Sequence, residues 1–260
     1  MRGPVEREWT FDGLTICDGH DPEGNVVQLR QRLASDHDAS AEPSPVTARP
    51  HLRSERRIID GPAGRIELAV DADDGAPAGL AVIGHPHPLY GGTLENKVAA
   101  TLARAFASLG WMAVRPNFRG VGASDGEHDH GRGETDDFVH VVAAATQWIG
   151  GDAALPRALA GFSFGSFVAA QAAARIEPAA SHLVLVGAAA GKWPLPPVAA
   201  DTLVIHGEFD ETIPLAHVFE WARPQDLPVV VIPGADHFFH RRLATLKRLV
   251  SDYVQRPRPR

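Results

Sequence analysis

A serine hydroxyl attacks a carbonyl only when a base takes its proton, and the base works best when a carboxylate holds its other nitrogen. The sequence offers these three groups in one order. Ser163 stands in Gly161-Phe162-Ser163-Phe164-Gly165, between an apolar run at 157–160 and an alanine-rich run at 167–176. A Gly-x-Ser-x-Gly between a strand and a helix is a sharp turn that lifts the hydroxyl above the sheet edge, and it leaves no room for side chains at the two glycines. Asp210 follows the apolar run Leu203-Val204-Ile205, and His237 follows Val230-Val231-Ile232. Ser163, Asp210 and His237 are therefore read as nucleophile, acid and base, with Glu208 or Asp236 as alternative acids. A developing oxyanion needs backbone donors aimed at it. Phe164, directly after the serine, supplies one N–H. The second is expected from the loop His85-Pro86-His87-Pro88-Leu89. Its prolines have no N–H, which leaves His87 as the best-placed donor and Leu89 as a weaker one.

The other reactive side chains have plainer readings. His206 precedes its loop and is expected to be buried and hydrogen-bonded. His85 and His87 form a His-x-His, but no Asp/Glu/His cluster at ligand spacing accompanies it, so no metal is expected. His128 and His130 flank Asp129 in a polar loop and read as solvated. Ser124 and Ser166 read as turn and helix-start residues. Leu89, Tyr90, Phe209, Phe238 and Trp193 are candidates to line a substrate pocket.

These residues need elements to position them. Two strands at 56–60 and 64–71, joined by the turn Gly61-Pro62-Ala63-Gly64, read as an antiparallel hairpin. Continuously apolar strands follow at 80–83, 111–114, 157–160, 182–186, 202–205 and 229–232, the signature of burial on both faces. Helices alternate with them at 96–109, 134–149, 167–176, 214–221 and 238–254. The pattern predicts a mostly parallel sheet with helices on both faces, an α/β fold. Residues 1–54 differ: they are rich in Asp, Glu, Arg, Pro and Ser and poor in periodicity. They read as an extension lacking regular order, with a short helix near 26–33 at most; the folded domain is expected over 55–255.

Composition narrows the function further. The net charge of −7 argues against nucleic acid or an anionic membrane as partner. The single cysteine, Cys17, excludes an internal disulfide framework. No run approaches the roughly 18 apolar residues of a membrane helix, and the N-terminus lacks the layout of a signal peptide, so a cytoplasmic location is expected. Whether the chain forms a homo-oligomer is left open.

Three longer motifs go beyond the serine turn: His85-Pro86-His87-Pro88-Leu89-Tyr90-Gly91-Gly92-Thr93 followed by Asn96-Lys97-Val98, Asn117-Phe118-Arg119-Gly120-Val121-Gly122-Ala123-Ser124, and Gly161-Phe162-Ser163-Phe164-Gly165. In these the sequence resembles the α/β-hydrolase superfamily over roughly residues 55–255, and within it a family of compact bacterial hydrolases related to dienelactone-hydrolase-like and serine aminopeptidase-like enzymes. The resemblance implies a serine hydrolase that needs no cofactor. Dienelactone hydrolases proper use a cysteine where this sequence has Ser163; haloalkane dehalogenases and epoxide hydrolases use an aspartate. The connection at 188–200 is about a dozen residues, too short for a helical lid. The expectation is an open, shallow site for small or medium carboxylic esters, without the interfacial activation of a lidded lipase. An amidase or peptidase of the same fold is the rival; a non-catalytic binding protein is the third reading.

Overall fold

A computed structural model describes residues 52–151 and 155–256 in full, and the backbone of 7–11, 14–20 and 26–32. The chain divides into two compact units, Met1–Arg49 and Pro50–Arg260.

In the first unit, strands β1 (Arg7–Phe11), β2 (Leu14–His20) and β3 (Val26–Arg32) form an antiparallel sheet in that order. Leu14 pairs with Arg32 and His20 with Val26. The short helix expected near 26–33 is thus a strand. In sequence, Val27, Leu29 and Gln31 alternate with Gln28, Arg30 and Arg32, a period of two that suits a strand paired along its length. The rest of 1–51 lies outside the described residues.

The second unit holds an eight-stranded sheet. Its strands are β4 (Arg53–Gly61), β5 (Gly64–Ala72), β6 (Leu80–Gly84), β7 (Met112–Pro116), β8 (Arg157–Phe162), β9 (His182–Val186), β10 (Leu203–Gly207) and β11 (Val229–Ile232). The spatial order is β11-β10-β9-β8-β6-β7-β5-β4. The β4–β5 hairpin is antiparallel, and β5 is antiparallel to β7. All strands from β6 onward run parallel.

The helices are α1 (Lys97–Ala107), α2 (Arg132–Trp148), α3 (Phe164–Ala173), α4 (Leu215–Ala222) and α5 (Leu243–Val254). They cover both faces, which explains the unbroken apolar strands. Leu80 and Val82 of β6 pack into one core with Phe138 of α2 and Val168 of α3. Ala81 and Ile83 of the same strand pack into the other, with Leu102 and Phe106 of α1 and Leu246 of α5. Asn96 caps α1, its Oδ1 accepting from the Val98 and Ala99 N–H groups. Gly110, at φ 78°, turns the chain out of that helix as a C-terminal glycine does.

The last helix begins later than its periodicity suggests. Residues 238–242, expected to be helical, form turns instead. Phe239 and Arg241 have φ of 54° and 59°, which no helix accommodates. The Asp236 carboxylate accepts from the His240 N–H at 3.0 Å, and Phe239 is fully buried. Among the described residues, no helix is long and apolar enough to cross a membrane.

Candidate active site

The turn from β8 into α3 dictates where Ser163 can go. Ser163 has φ 54° and ψ −121°, a strained conformation for a residue with a side chain, costing on the order of 1–3 kcal/mol. Its surroundings hold it there. The Ser163 N–H donates to the Val186 carbonyl at 2.9 Å. The Ser163 carbonyl accepts from the Ser166 N–H at 2.8 Å and from Ser166 Oγ at 2.6 Å. Ser166 Oγ in turn accepts from the Ala189 N–H at 3.0 Å, so Ser166 braces the turn against the loop after β9. The flanking glycines are required by space. A Cβ on Gly161 would lie 2.0 Å from the Gly165 carbonyl oxygen, and one on Gly165 would lie 2.3 Å from that of Gly84.

Asp210 and His237 arrive on the loops after β10 and β11. These loops are laced together. The Phe209 N–H donates to the Ala235 carbonyl at 2.9 Å, and the Gly234 N–H to Glu208 Oε2 at 2.8 Å. Gly207 permits the approach, since a Cβ there would meet the Ala235 carbonyl oxygen at 2.6 Å. The result is a line of three buried groups. His237 Nδ1 lies 2.7 Å from Asp210 Oδ2, and His237 Nε2 lies 3.1 Å from Ser163 Oγ. A carboxylate only accepts, so the Nδ1 proton stays on His237 and Nε2 is left as the acceptor for the serine hydroxyl. Asp210 is fixed independently, its Oδ1 accepting from the Thr212 and Ile213 N–H groups at 3.0 and 2.7 Å. The alternative acids point elsewhere. Glu208 serves Gly234, and Asp236 holds His240 Nδ1 at 2.5 Å, which keeps the Asp236 carboxyl below its usual range.

Among the described residues, the Phe164 and His87 N–H groups donate to no protein acceptor. Leu89, the weaker donor candidate, is engaged: its N–H donates to His87 Nδ1 at 3.2 Å. The loop carrying His87 is tied down by His85, which is fully buried. His85 Nδ1 donates to the Pro86 carbonyl at 2.6 Å, and its Nε2 accepts from the Phe118 N–H at 3.0 Å. Both ring nitrogens are thus used within the fold, and burial pushes the His85 pKa down to about 4. The 117–124 loop is itself rigid: Asn117 donates to Glu67 and accepts from the Leu94 N–H, while Ser124 Oγ donates to the Asn117 carbonyl. Among the described residues, no three His, Cys, Asp or Glu side chains are grouped to hold a metal ion.

The apolar candidates separate. Tyr90 and Trp193 lie against His87 with tilted rings, centroids 4.7 and 5.7 Å away. Phe238 packs edge-on against the His237 ring, 5.1 Å between centroids. Phe209 is exposed on the β10 loop with no ring partner among the described residues. Leu89 is exposed and lines, with Pro88, Arg119, Val121, Glu127 and His128, an open cavity of about 500 Å³ beside the His87 loop.

His128 corrects the expectation of a solvated loop residue. Its side chain is 6% exposed, and Nδ1 lies 2.7 Å from Glu134 Oε1. Glu134 is fully buried and caps the start of α2 through the Gly131 N–H. The His128 ring packs 4.8 Å from His87 and 5.5 Å from Phe164. Arg119, also not singled out from sequence, anchors to both oxygens of Asp137 at 2.8 and 2.9 Å.

Residues 91–226 match the family model described as serine aminopeptidase, S33. An uncharacterized protein of Rickettsia prowazekii is 30% identical over 211 residues, covering 75% of this chain and 87% of that one. Two solved structures are similar at higher identity. An α/β serine hydrolase homologue from Coxiella burnetii is 37% identical, with TM-score 0.67, over 76% of this chain and 96% of its own. A lid-less α/β serine hydrolase from Xanthomonas campestris is 36% identical, with TM-score 0.70, over 80% and 97%.

Proposed function

The chain belongs to the serine aminopeptidase S33 family of α/β-fold hydrolases, and we propose that within it this protein cleaves small or medium carboxylic esters through an acyl-serine. The observation that carries the reading is the unbroken contact from Asp210 through His237 to Ser163 beside two uncommitted backbone N–H groups.

Each residue has a role in the scheme. Ser163 Oγ attacks the ester carbonyl as its proton passes to His237 Nε2. Asp210 holds the ring and stabilises the imidazolium that forms. The carbonyl oxygen, now negative, receives the N–H groups of Phe164 and His87. The carbon–oxygen bond to the alcohol then breaks, and His237 returns the proton to the departing alkoxide. Water repeats the sequence on the acyl-serine, with His237 again as base, and releases the acid. The turn-rich connection after β9 carries no helix, which supports an uncovered site.

The family description favours one second reading, an amidase or aminopeptidase acting through the same residues. Two assays separate the readings. A fluorophosphonate should label the wild type and not Ser163→Ala, and that variant should lose about 10⁴-fold or more in kcat on short p-nitrophenyl esters. Aminoacyl amides turned over faster than esters would establish the second reading instead. Absence of labelling in the wild type would point to a binding protein.

A further inference from the structure

Asp210 is held by more than the hydrolytic scheme asks of it. Its Oδ2 faces His237 Nδ1 at 2.7 Å and also His206 Nε2 at 3.3 Å. His206 is fully buried at the end of β10, four residues before Asp210. The same Nε2 lies 2.8 Å from the Ile213 carbonyl oxygen. A carbonyl oxygen only accepts, so Nε2 carries a proton and donates it to Ile213, with Asp210 Oδ2 3.3 Å from the same nitrogen. The other ring nitrogen, Nδ1, is buried with no hydrogen-bond partner among the described residues. A second proton there would be a donor without an acceptor, so the ring is neutral. Burial acts the same way, holding the His206 pKa below its ordinary value.

We propose that His206 is a positioning residue for the reaction: a neutral imidazole that fixes the Asp210 carboxylate and tempers the charge it presents to His237. The inference rests on the hydrolase reading above. Asp210 and His237, from the loops after β10 and β11, are the titratable groups acting on His206. The positive N–H edge of the neutral ring, beside Oδ2, offsets part of its negative charge. His237 then gains less from Asp210 when protonated. Removing the donor concentrates negative charge opposite His237 Nδ1. The imidazolium becomes more stable, and the acidic limb of reactivity moves to higher pH. A purely structural brace would slow the reaction at every pH and leave the limb where it is.

The test follows the rate of fluorophosphonate labelling against pH in the full chain, normalised to folded protein by circular dichroism. This readout needs no knowledge of the natural substrate. His206→Gln keeps an amide donor of similar reach and should retain the wild-type limb. His206→Phe should shift it upward by about half to one pH unit. His206→Asn, polar but too short to reach Asp210, should shift it the same way and serves if the Phe variant does not fold. A low-field proton NMR resonance for His237 Nδ1–H, displaced in the Phe or Asn variant but not in the Gln variant, would support the same conclusion. A limb unchanged in folded Phe or Asn variants overturns the inference while leaving the hydrolase reading intact. A wild type that labels at no pH refutes the hydrolase reading and this inference with it.

Discussion

His85 stands in a loop that looks reactive and works as a strut. Both ring nitrogens are committed, one to the Pro86 carbonyl and one to the Phe118 N–H, and the ring lies 4.4 Å from that of Phe118. Its folded pKa of about 4 is lower than the 6.5 of a free histidine, so the unfolded chain takes up a proton first as pH falls. The stability it lends is whole above pH 6.5 and drains away between pH 6.5 and pH 4, by up to about 3 kcal/mol. Urea unfolding of the wild type should weaken across that window, and His85→Gln should flatten the dependence. Single residues were legible in the sequence where a strand end announced them. Ser163, Asp210 and His237 each follow an apolar run, and that placement is what brings them together. His128 was not legible in this way. Glu134, 2.7 Å from its Nδ1, sits in the first turn of a helix, and its ring neighbours His87, Phe164 and Trp193 come from the loop after β6, the start of α3 and the connection after β9. Nothing in the polar string Glu127-His128-Asp129-His130 signals burial.

At the scale of elements, the His87 loop depends on a buried clamp behind it. Arg115 of β7 gives Nε and Nη2 to Asp71 Oδ2 of β5, at 3.2 and 2.9 Å. Its Nη1 donates to the Leu94 carbonyl at 2.6 Å, in the turn that leads from the loop into α1. Both side chains are 6% exposed. Arg115→Met would strand the Asp71 carboxylate without a partner, at a cost of about 3–5 kcal/mol in urea unfolding. The double variant with Asp71→Asn should recover much of that loss, because it removes the orphaned charge as well. Elements were readable where the apolar period met a stop signal, as in α1, which Gly110 follows. They were misread where the apolar period alone decided. Phe238 and Phe239 extend the α5 pattern backwards, but Asp236 and the two left-handed residues impose turns. The period of two across 27–32 went unread because its strand partners lie upstream, at 14–20.

For the whole molecule, alternating strands and helices predicted the parallel sheet, but not its spatial order, since the register between strands is set by packing rather than by any local pattern. Residues Pro50–Arg260 form a compact unit of their own. A chain beginning at Pro50 should therefore fold and label at Ser163 at the full-length rate, measured by circular dichroism and fluorophosphonate reaction; loss of either would show that the first unit is needed. The order of strands also has a bearing on how the protein fails. The serine rides on β8, in the middle of the sheet, where every strand residue is buried. The histidine rides on β11, a four-residue strand at the margin with one neighbour and three half-buried residues. Marginal strands open at lower free energy than central ones. Mild urea should thus silence Ser163 labelling at concentrations where circular dichroism still reports an intact sheet. The proposed nucleophile and base are thus divided between the centre of the sheet and its margin, and on this reading the molecule should be disarmed before it is denatured.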